Sequence, residues 1–295
     1  AMLMMGRSLY RLEGQGQSIP EDQALLGEAL QTAGYETFGT GKWHNGPAAY
    51  ARSFSAGAEI FFGGMHDHWN VPVCDFDSTG RYNQRILQTM DFHTQRVQQW
   101  TADHIHAGVH STELFCDATI DFLRRRSNED APFFAYLSFM APHDPRTMPE
   151  DFLAMYPVDE VEVPANFAPE HPFDNGELQV RDEVLAGHPR REREVREHLA
   201  AYYAMISHLD THIGRVLDAL EEQGLREQTI VVLAGDNGLA VGQHGLMGKQ
   251  SVYEHSVHVP LLFAGPGVPA GERREGLAYL FDIFPTLCEL CDVEI

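Results

Sequence analysis

Runs of strand type alternate with stretches of helical periodicity along this sequence, and this alternation constrains its fold more than any other feature. Apolar residues recur at helical spacing in residues 21–33, 111–126 and 192–223. The runs of strand type, most of them continuously apolar, are YETFGTG, PFFAYLSFM, TIVVLAG and HVPLLFAG. Apolar strands that alternate with helices are typical of parallel sheets covered on both faces. The sequence therefore predicts an α/β fold with a mostly parallel sheet sandwiched by helices.

Two long segments, residues 45–110 and 140–190, show no clear periodicity and are rich in Pro, Gly, His and acidic residues. Such composition predicts long loops. Loops of this length in a compact domain are usually functional or disordered.

The charge balance of the chain bears on its partners. The sequence has 21 basic and 43 acidic residues, a net charge of −22. A nucleic-acid backbone would be repelled by this charge, so we expect no nucleic-acid partner. No apolar run reaches the roughly 18–20 residues that a bilayer-spanning helix needs, so we expect no membrane span. An anion-binding pocket can still lie inside an acidic protein.

Polar residues follow three of the runs at the point where each run ends. YETFGTG leads to Lys42 and His44, PFFAYLSFM leads to His143, and TIVVLAG leads to Asp236 and Asn237. Open parallel sheets place their sites beyond the carboxyl ends of their strands. The sequence therefore predicts that these side chains converge on one crevice.

The residue types in this set suit one chemistry. Asp236 and Asn237 are adjacent oxygen donors, which hard cations such as Ca²⁺ or Mg²⁺ prefer. Lys42 and Lys249 offer ammonium groups for an anion, and the two histidines can move protons near neutral pH. Each residue also has an ordinary interpretation, as a turn, a surface charge or a structural histidine. Their shared placement favours hydrolysis of an anionic ester.

Longer motifs surround these residues in five ordered segments. They are GYETFGTGKWHNG, PFFAYLSFMAPHDP, YYAMISHLDTHIGRVLDALEEQGLREQTIVVLAGDNG, GQHGLMGKQSVYEHSVHVPLLFAGPG and FDIFPTLCELCDV. Together they resemble the sulfatase family of the alkaline phosphatase superfamily. The resemblance implies an alkaline phosphatase/sulfatase-like fold and a sulfuric ester hydrolase that acts on a small or carbohydrate sulfate ester.

The resemblance also implies roles for individual residues. Asp236 and Asn237 would bind the metal, usually Ca²⁺, with Mg²⁺ as the alternative. Lys42 and Lys249 would contact sulfate oxygens. His143 would contact the leaving-group oxygen, and the histidine at position 44 would act on the hydroxyl of the nucleophile.

The family's nucleophile is a formylglycine made from Cys or Ser in a Cys/Ser-x-Pro-x-Arg motif, which these 295 residues do not contain. AMLMMGR resembles the segment directly downstream of that motif in the family. We therefore expect residues 1–295 to be a sulfatase catalytic domain that is incomplete at both termini. Its nucleophile would lie upstream and be installed by a formylglycine-generating enzyme. A truncated homologue without activity, which would only bind anions, is the alternative.

Further histidines and one arginine are candidates for substrate binding. His66 and His68 lie where sulfatase loops often shape the substrate pocket, and Arg146 could meet an acidic sugar substituent or be exposed. A sulfated sugar is the default substrate. His104 and His106 form a His-x-His pair, but the sequence shows no clear third and fourth ligand for zinc.

A phosphodiesterase or phosphonate hydrolase of the same superfamily is the alternative enzyme. Such relatives commonly carry Asp-His-Gly after the metal-binding strand. Asn237 offers a carbonyl oxygen in that place and favours Ca²⁺.

Overall fold

The structure is a computed structural model that describes residues 1–9, 18–91, 96–127 and 129–294. The chain forms two compact units. The first unit contains Ala1–Pro145, Thr211–Gln228 and Gly271–Ile295, and the second contains Arg146–Asp210 and Thr229–Ala270.

The helices and strands are numbered in chain order. The helices are α1 (Met2–Met5), α2 (Leu26–Thr32), α3 (Pro47–Ser53), α4 (Ser111–Arg124), α5 (Glu150–Leu153), α6 (Glu192–Glu222), α7 (Glu254–Val257) and α8 (Ile283–Leu290). The strands are β1 (Glu36–Lys42), β2 (Ala56–Phe61), β3 (Pro72–Val73), β4 (Arg85–Asp91), β5 (Arg96–Thr101), β6 (His104–Ile105), β7 (Phe133–Ser138), β8 (Val231–Ala234) and β9 (Leu261–Ala264).

A parallel three-stranded sheet in the order β2-β1-β7 organises the first unit. Its central strand β1 is buried along its middle, and Phe38 stacks on Phe122 of α4 at 4.4 Å between ring centroids. The Tyr50 hydroxyl of α3 donates a hydrogen bond of 2.6 Å to the carbonyl of Gly39. The helices that the periodicity predicts near residues 21–33 and 111–126 are present as α2 and α4. The parallel sheet with helices confirms the α/β prediction.

The second unit is built on the part of α6 up to Asp210 and on an antiparallel pair of strands, β8 and β9. Val195 and Leu199 of α6 are buried in an apolar cluster with Val241 and Met247. The prediction of buried strands is wrong for β8 and β9, because Leu262 is 55% exposed and both strands present apolar residues at the surface. An apolar run indicates a strand, but it does not determine whether that strand pairs parallel or antiparallel with its neighbour.

The loop predictions have mixed outcomes. Residues 140–190 contain only α5 and two short 3₁₀ turns, as expected. The prediction for residues 45–110 is wrong, because α3 and strands β2 to β6 lie there. The β4–β5 hairpin is antiparallel, and β5 exposes four successive residues of the sequence RVQQ, so neither face carries the apolar alternation that would have revealed it. β7 is half-buried along its whole length and not fully buried.

None of the helices in the described part of the chain combines the length and the apolarity needed to cross a bilayer.

Candidate functional site

The carboxyl end of β1 presents Lys42 and His44. Trp43 between them is buried at 3% exposure, its backbone N–H donates to Phe61 at 2.8 Å, and its ring N–H donates to the Gly46 carbonyl at 2.8 Å. Successive residues of an extended strand face opposite sides. The burial alternates in this way here, because Lys42 is half-buried and His44 is exposed on either side of the buried tryptophan.

Gly41 is required at the position before Lys42. Its φ of 87° lies in the left-handed region, and a Cβ there would be 1.9 Å from the Ser138 carbonyl oxygen of β7. Only glycine avoids both the strain and the collision. Close contact between β1 and β7 therefore fixes the backbone from which the Lys42 side chain extends.

The pKa of His44 lies below the ordinary histidine value. Partial loss of hydration lowers it first, and the positive charge of Lys42 lowers it further. The side chain remains exposed enough to be reached from solvent. A neutral imidazole near pH 7 can accept a proton, which is the role that the sequence predicts for this residue.

His143 lies five residues beyond the end of β7, and its Nδ1 is 3.0 Å from a carboxylate oxygen of Asp144. The fully buried His68 supports this segment. Its Nε2 is 3.1 Å from the His143 carbonyl oxygen and its Nδ1 is 2.7 Å from the Ser111 hydroxyl at the start of α4. Burial lowers the pKa of His68, so a neutral ring with one donor and one acceptor nitrogen fits both contacts.

The other candidates for substrate binding are also packed into the protein. His66 is 6% exposed and its ring meets Trp100 edge-to-face at 5.0 Å. Arg146 is half-buried, with its guanidinium 5.8 Å from the Tyr202 ring centroid and in contact with His198. Both ring nitrogens of the histidine at position 68 have protein contacts. Contact of these residues with substrate stays a prediction.

Asp236 and Asn237 follow β8 in the second unit after one intervening residue, Gly235, and are both exposed. The Asp236 Oδ1 accepts hydrogen bonds from the Asn237 backbone N–H at 2.9 Å and from its side-chain amide at 3.1 Å. This fixes two oxygen-bearing side chains side by side. The donor set fits a hard cation such as Ca²⁺, which takes six to eight oxygen ligands and would need further oxygens besides these.

Lys249 is held beside a buried carboxylate. Its Nζ is 3.8 Å from Asp182 Oδ2, and the side chain of Asp182 is 6% exposed. The same oxygen accepts a hydrogen bond of 3.0 Å from the side-chain amide of Gln250. The ammonium group therefore has a defined position and keeps part of its surface open, with 27% of the side chain exposed.

A buried ion pair holds the backbone before this lysine. Glu183 accepts hydrogen bonds of 2.8 Å from the backbone N–H groups of both Met247 and Gly248. Arg190 donates to the Glu183 carboxylate at 2.7 Å and to the Gly245 carbonyl at 3.0 Å. Neither Glu183 nor Arg190 is among the residues that the sequence predicts for the site. In the sequence, Asp182 and Glu183 are two adjacent acids in a long polar segment, which is typical of solvated surface. Only the structure shows that they are buried.

The sequence contains 21 lysines and arginines, and only two of these are lysines, at positions 42 and 249. Arginine supplies all the other basic charge. The six predicted catalytic and metal-binding residues belong to two units, and their convergence on one crevice stays a prediction.

The chain belongs to the sulfatase family, because the model of that family, described as Sulfatase, matches residues 1–293. A sulfatase of Formosa agariphila is 31% identical over 182 residues, which cover 58% of this chain and 34% of that protein. An ulvan-active sulfatase of the same organism is 26% identical over 285 residues, 94% of this chain and 48% of that protein. The chain therefore spans about a third to a half of the length of these relatives.

Solved structures confirm the fold. A protein in complex with its substrate D-glucosamine-2-N,6-O-disulfate aligns with a TM-score of 0.69 at 22% identity, covering 100% of this chain and 66% of that one. The phosphonate monoester hydrolase of Agrobacterium radiobacter aligns with a TM-score of 0.72 at 20% identity, covering 99% of this chain and 63% of that one. At these identities the likeness concerns the fold alone.

Proposed function

We propose that residues 1–295 are part of the catalytic domain of a sulfuric ester hydrolase and carry the groups that bind and polarise the sulfate. The observation that supports this most directly is the use of lysine. The only two lysines of the sequence, Lys42 and Lys249, stand in the motifs that resemble sulfatase sites, and each follows a backbone fixed by buried contacts. A compact ammonium group suits contact with a tetrahedral anion.

The other residues would complete the chemistry. His143 donates a proton to the leaving alcohol oxygen, and His44, with its lowered pKa, takes a proton from the nucleophile's hydroxyl. Asp236 and Asn237 would hold a divalent cation, Ca²⁺ or Mg²⁺ by their oxygen chemistry, which would neutralise negative charge when bound. The nucleophile in this proposal is a formylglycine from a Cys/Ser-x-Pro-x-Arg segment, made by a formylglycine-generating enzyme.

A sulfated sugar is the proposed substrate. The family relative of Formosa agariphila is named as ulvan-active, and one protein of the same fold was solved with a disulfated glucosamine. Phosphonate ester hydrolysis is the second candidate, since a phosphonate monoester hydrolase shares the fold. Asn237 favours the first, because its carbonyl oxygen suits Ca²⁺ and an imidazole in its place would suit a transition metal.

Anion binding can be tested on the chain itself. Reductive ¹³C-methylation keeps the lysine charge, and it should give two lysine side-chain signals, assigned by Lys42→Arg and Lys249→Arg. Titration with an aryl sulfate should shift both signals with one shared dissociation constant. If only one lysine responded, the two lysines would not share a sulfate site.

Turnover tests the reaction. The protein that carries a Cys/Ser-x-Pro-x-Arg segment is co-expressed with a formylglycine-generating enzyme and assayed with an aryl sulfate, a sulfated sugar and a phosphonate monoester. We expect sulfate release from the first two. Cleavage of the phosphonate alone would move the function to the second candidate.

A further inference from the structure

Glu59, His104 and His106 form a cluster in the first unit, called here the His–Glu cluster, which the proposed sulfatase chemistry does not use. His104 Nε2 lies 3.2 Å from one carboxylate oxygen of Glu59, and His106 Nε2 lies 3.2 Å from the other. The two imidazole rings meet edge-to-face with centroids 4.7 Å apart. The three ligand atoms all lie within 4.8 Å of one another, so they surround one point.

The backbone of Glu59 is unusual. Ala58 pairs with Thr40 and Ile60 pairs with Gly41, so Glu59 is an extra residue in the ladder between β2 and β1. Its φ of 50° is in the left-handed region, which strains any residue that has a side chain. Bulges of this kind redirect a side chain and recur beside functional sites. Here the redirected side chain is the carboxylate that both histidines contact.

Backbone pairing holds the histidines opposite Glu59. The residue after the bulge, Ile60, pairs with Cys74 through hydrogen bonds of 3.0 and 2.8 Å. The neighbouring Val73 of β3 pairs in turn with His104 of β6. Glu59 and His104 therefore sit on paired strands and His106 directly follows β6, so the three donors are arranged before any ligand arrives.

We propose that the His–Glu cluster binds one zinc ion. Two imidazole nitrogens and one carboxylate with open positions left for water form an established kind of zinc site, and imidazole disfavours Ca²⁺. The site is chemically distinct from the oxygen donors at Asp236 and Asn237. The sequence shows no clear third ligand for the His-x-His pair, but the structure supplies Glu59 of β2, 45 residues before His104. Bound zinc would tie β2 to β6 and stabilise the first unit.

A second histidine–glutamate contact in the chain provides a matched control. His258 and Glu254 are 3.2 Å apart on adjacent turns near α7, with side chains 77% and 85% exposed. Side-chain exposure within the His–Glu cluster is lower, from 18% for Glu59 to 43% for His106. The control pair has the same contact distance but no third ligand among the described residues.

The test is isothermal titration of the metal-free chain with Zn²⁺, followed by thermal unfolding with and without the ion. We expect one zinc per chain at the His–Glu cluster, a raised Tm in excess zinc, and no competition from millimolar Ca²⁺. Glu59→Gln, His104→Gln and His106→Gln should each weaken binding at least about 10-fold. His258→Gln should change neither affinity nor stoichiometry.

Two results would overturn the proposal. One is the absence of zinc binding at micromolar concentration in the folded wild-type chain. The other is unchanged affinity in His106→Gln, a partly exposed position where replacement leaves the core intact. Circular dichroism of each metal-free variant separates loss of the site from loss of the fold. The outcome does not depend on sulfatase activity.

Discussion

Replacing Glu183 by glutamine tests whether the buried ion pair of Glu183 and Arg190 stabilises the second unit. The carboxylate accepts the backbone N–H groups of Met247 and Gly248, each at 2.8 Å, and pairs with Arg190 at 2.7 Å. Glutamine keeps the shape, but it has no negative charge and offers an NH₂ group where a second acceptor is needed. One backbone N–H therefore loses its partner, and the buried guanidinium loses the carboxylate that it hydrogen-bonds. Removing one partner of a buried ion pair costs about 3–5 kcal/mol.

Two measurements together locate this loss. Urea unfolding should show a decrease in the free energy of unfolding of that size. Hydrogen exchange should accelerate at the Met247 and Gly248 amides, because their acceptor is weakened. Glu254→Gln is the control, since that carboxylate is 85% exposed and its loss should change stability by no more than about 0.5 kcal/mol.

Coupling to Arg190 completes the test of Glu183. Arg190→Gln alone should destabilise the protein by a similar amount, since it leaves the carboxylate unpaired. The double variant should cost less than the sum of the two single ones, because neither charge is then left alone. A cost below about 1 kcal/mol for Glu183→Gln, or additive single costs, would refute the buried clamp.

Four further predictions concern the candidate site. Burial lowers the pKa of His68, so the unfolded chain takes up the proton first, and stability should fall as the pH drops from about 6.5 toward 5. Urea titrations at both pH values should show that the free energy of unfolding falls less in His68→Gln than in the wild-type chain. Gly41→Ala should lower Tm more than Gly34→Ala, because both have positive φ but only the Cβ of the first meets a backbone atom. The last two are measured by steady-state kinetics on the protein with its formylglycine. Lys249→Ala should lower kcat by about 10²–10³. His143→Ala should slow the cleavage of sugar sulfates more than that of activated aryl sulfates, and equal losses on both substrates in this variant would contradict leaving-group protonation.

Much of the first unit could be predicted from sequence, because its elements bury one face or both. α4 has an apolar face, which gives a helical period, and β1, which is buried along its middle, is recognised as a short run of strand type. The β4–β5 hairpin could not be predicted, because a strand with exposed residues on both faces leaves no alternation in the sequence. The antiparallel pairing of β8 with β9 could not be predicted either, because the same apolar run can form a parallel or an antiparallel pair.

The candidate site divides in a similar way. Lys42, His44, Asp236 and Asn237 stand where strands end, and strand ends can be read from the sequence. The supporting residues cannot be read in this way, because their partners are distant along the chain. Glu183 meets Gly248 across 65 residues, and nothing local marks it as buried.

Arg190 and the two lysines show how arginine and lysine suit different tasks. Arg190 is a fully buried structural residue, and its planar fork donates to a carboxylate and to three carbonyl oxygens. A guanidinium can satisfy several fixed acceptors at once, whereas an ammonium is a compact charge on a flexible stem. Such a stem gives a defined position only where the backbone beneath it is fixed. Close strand contact at Gly41 does this for Lys42, and the Glu183 carboxylate does it for Lys249, which is what the sulfate contact proposed for both lysines requires.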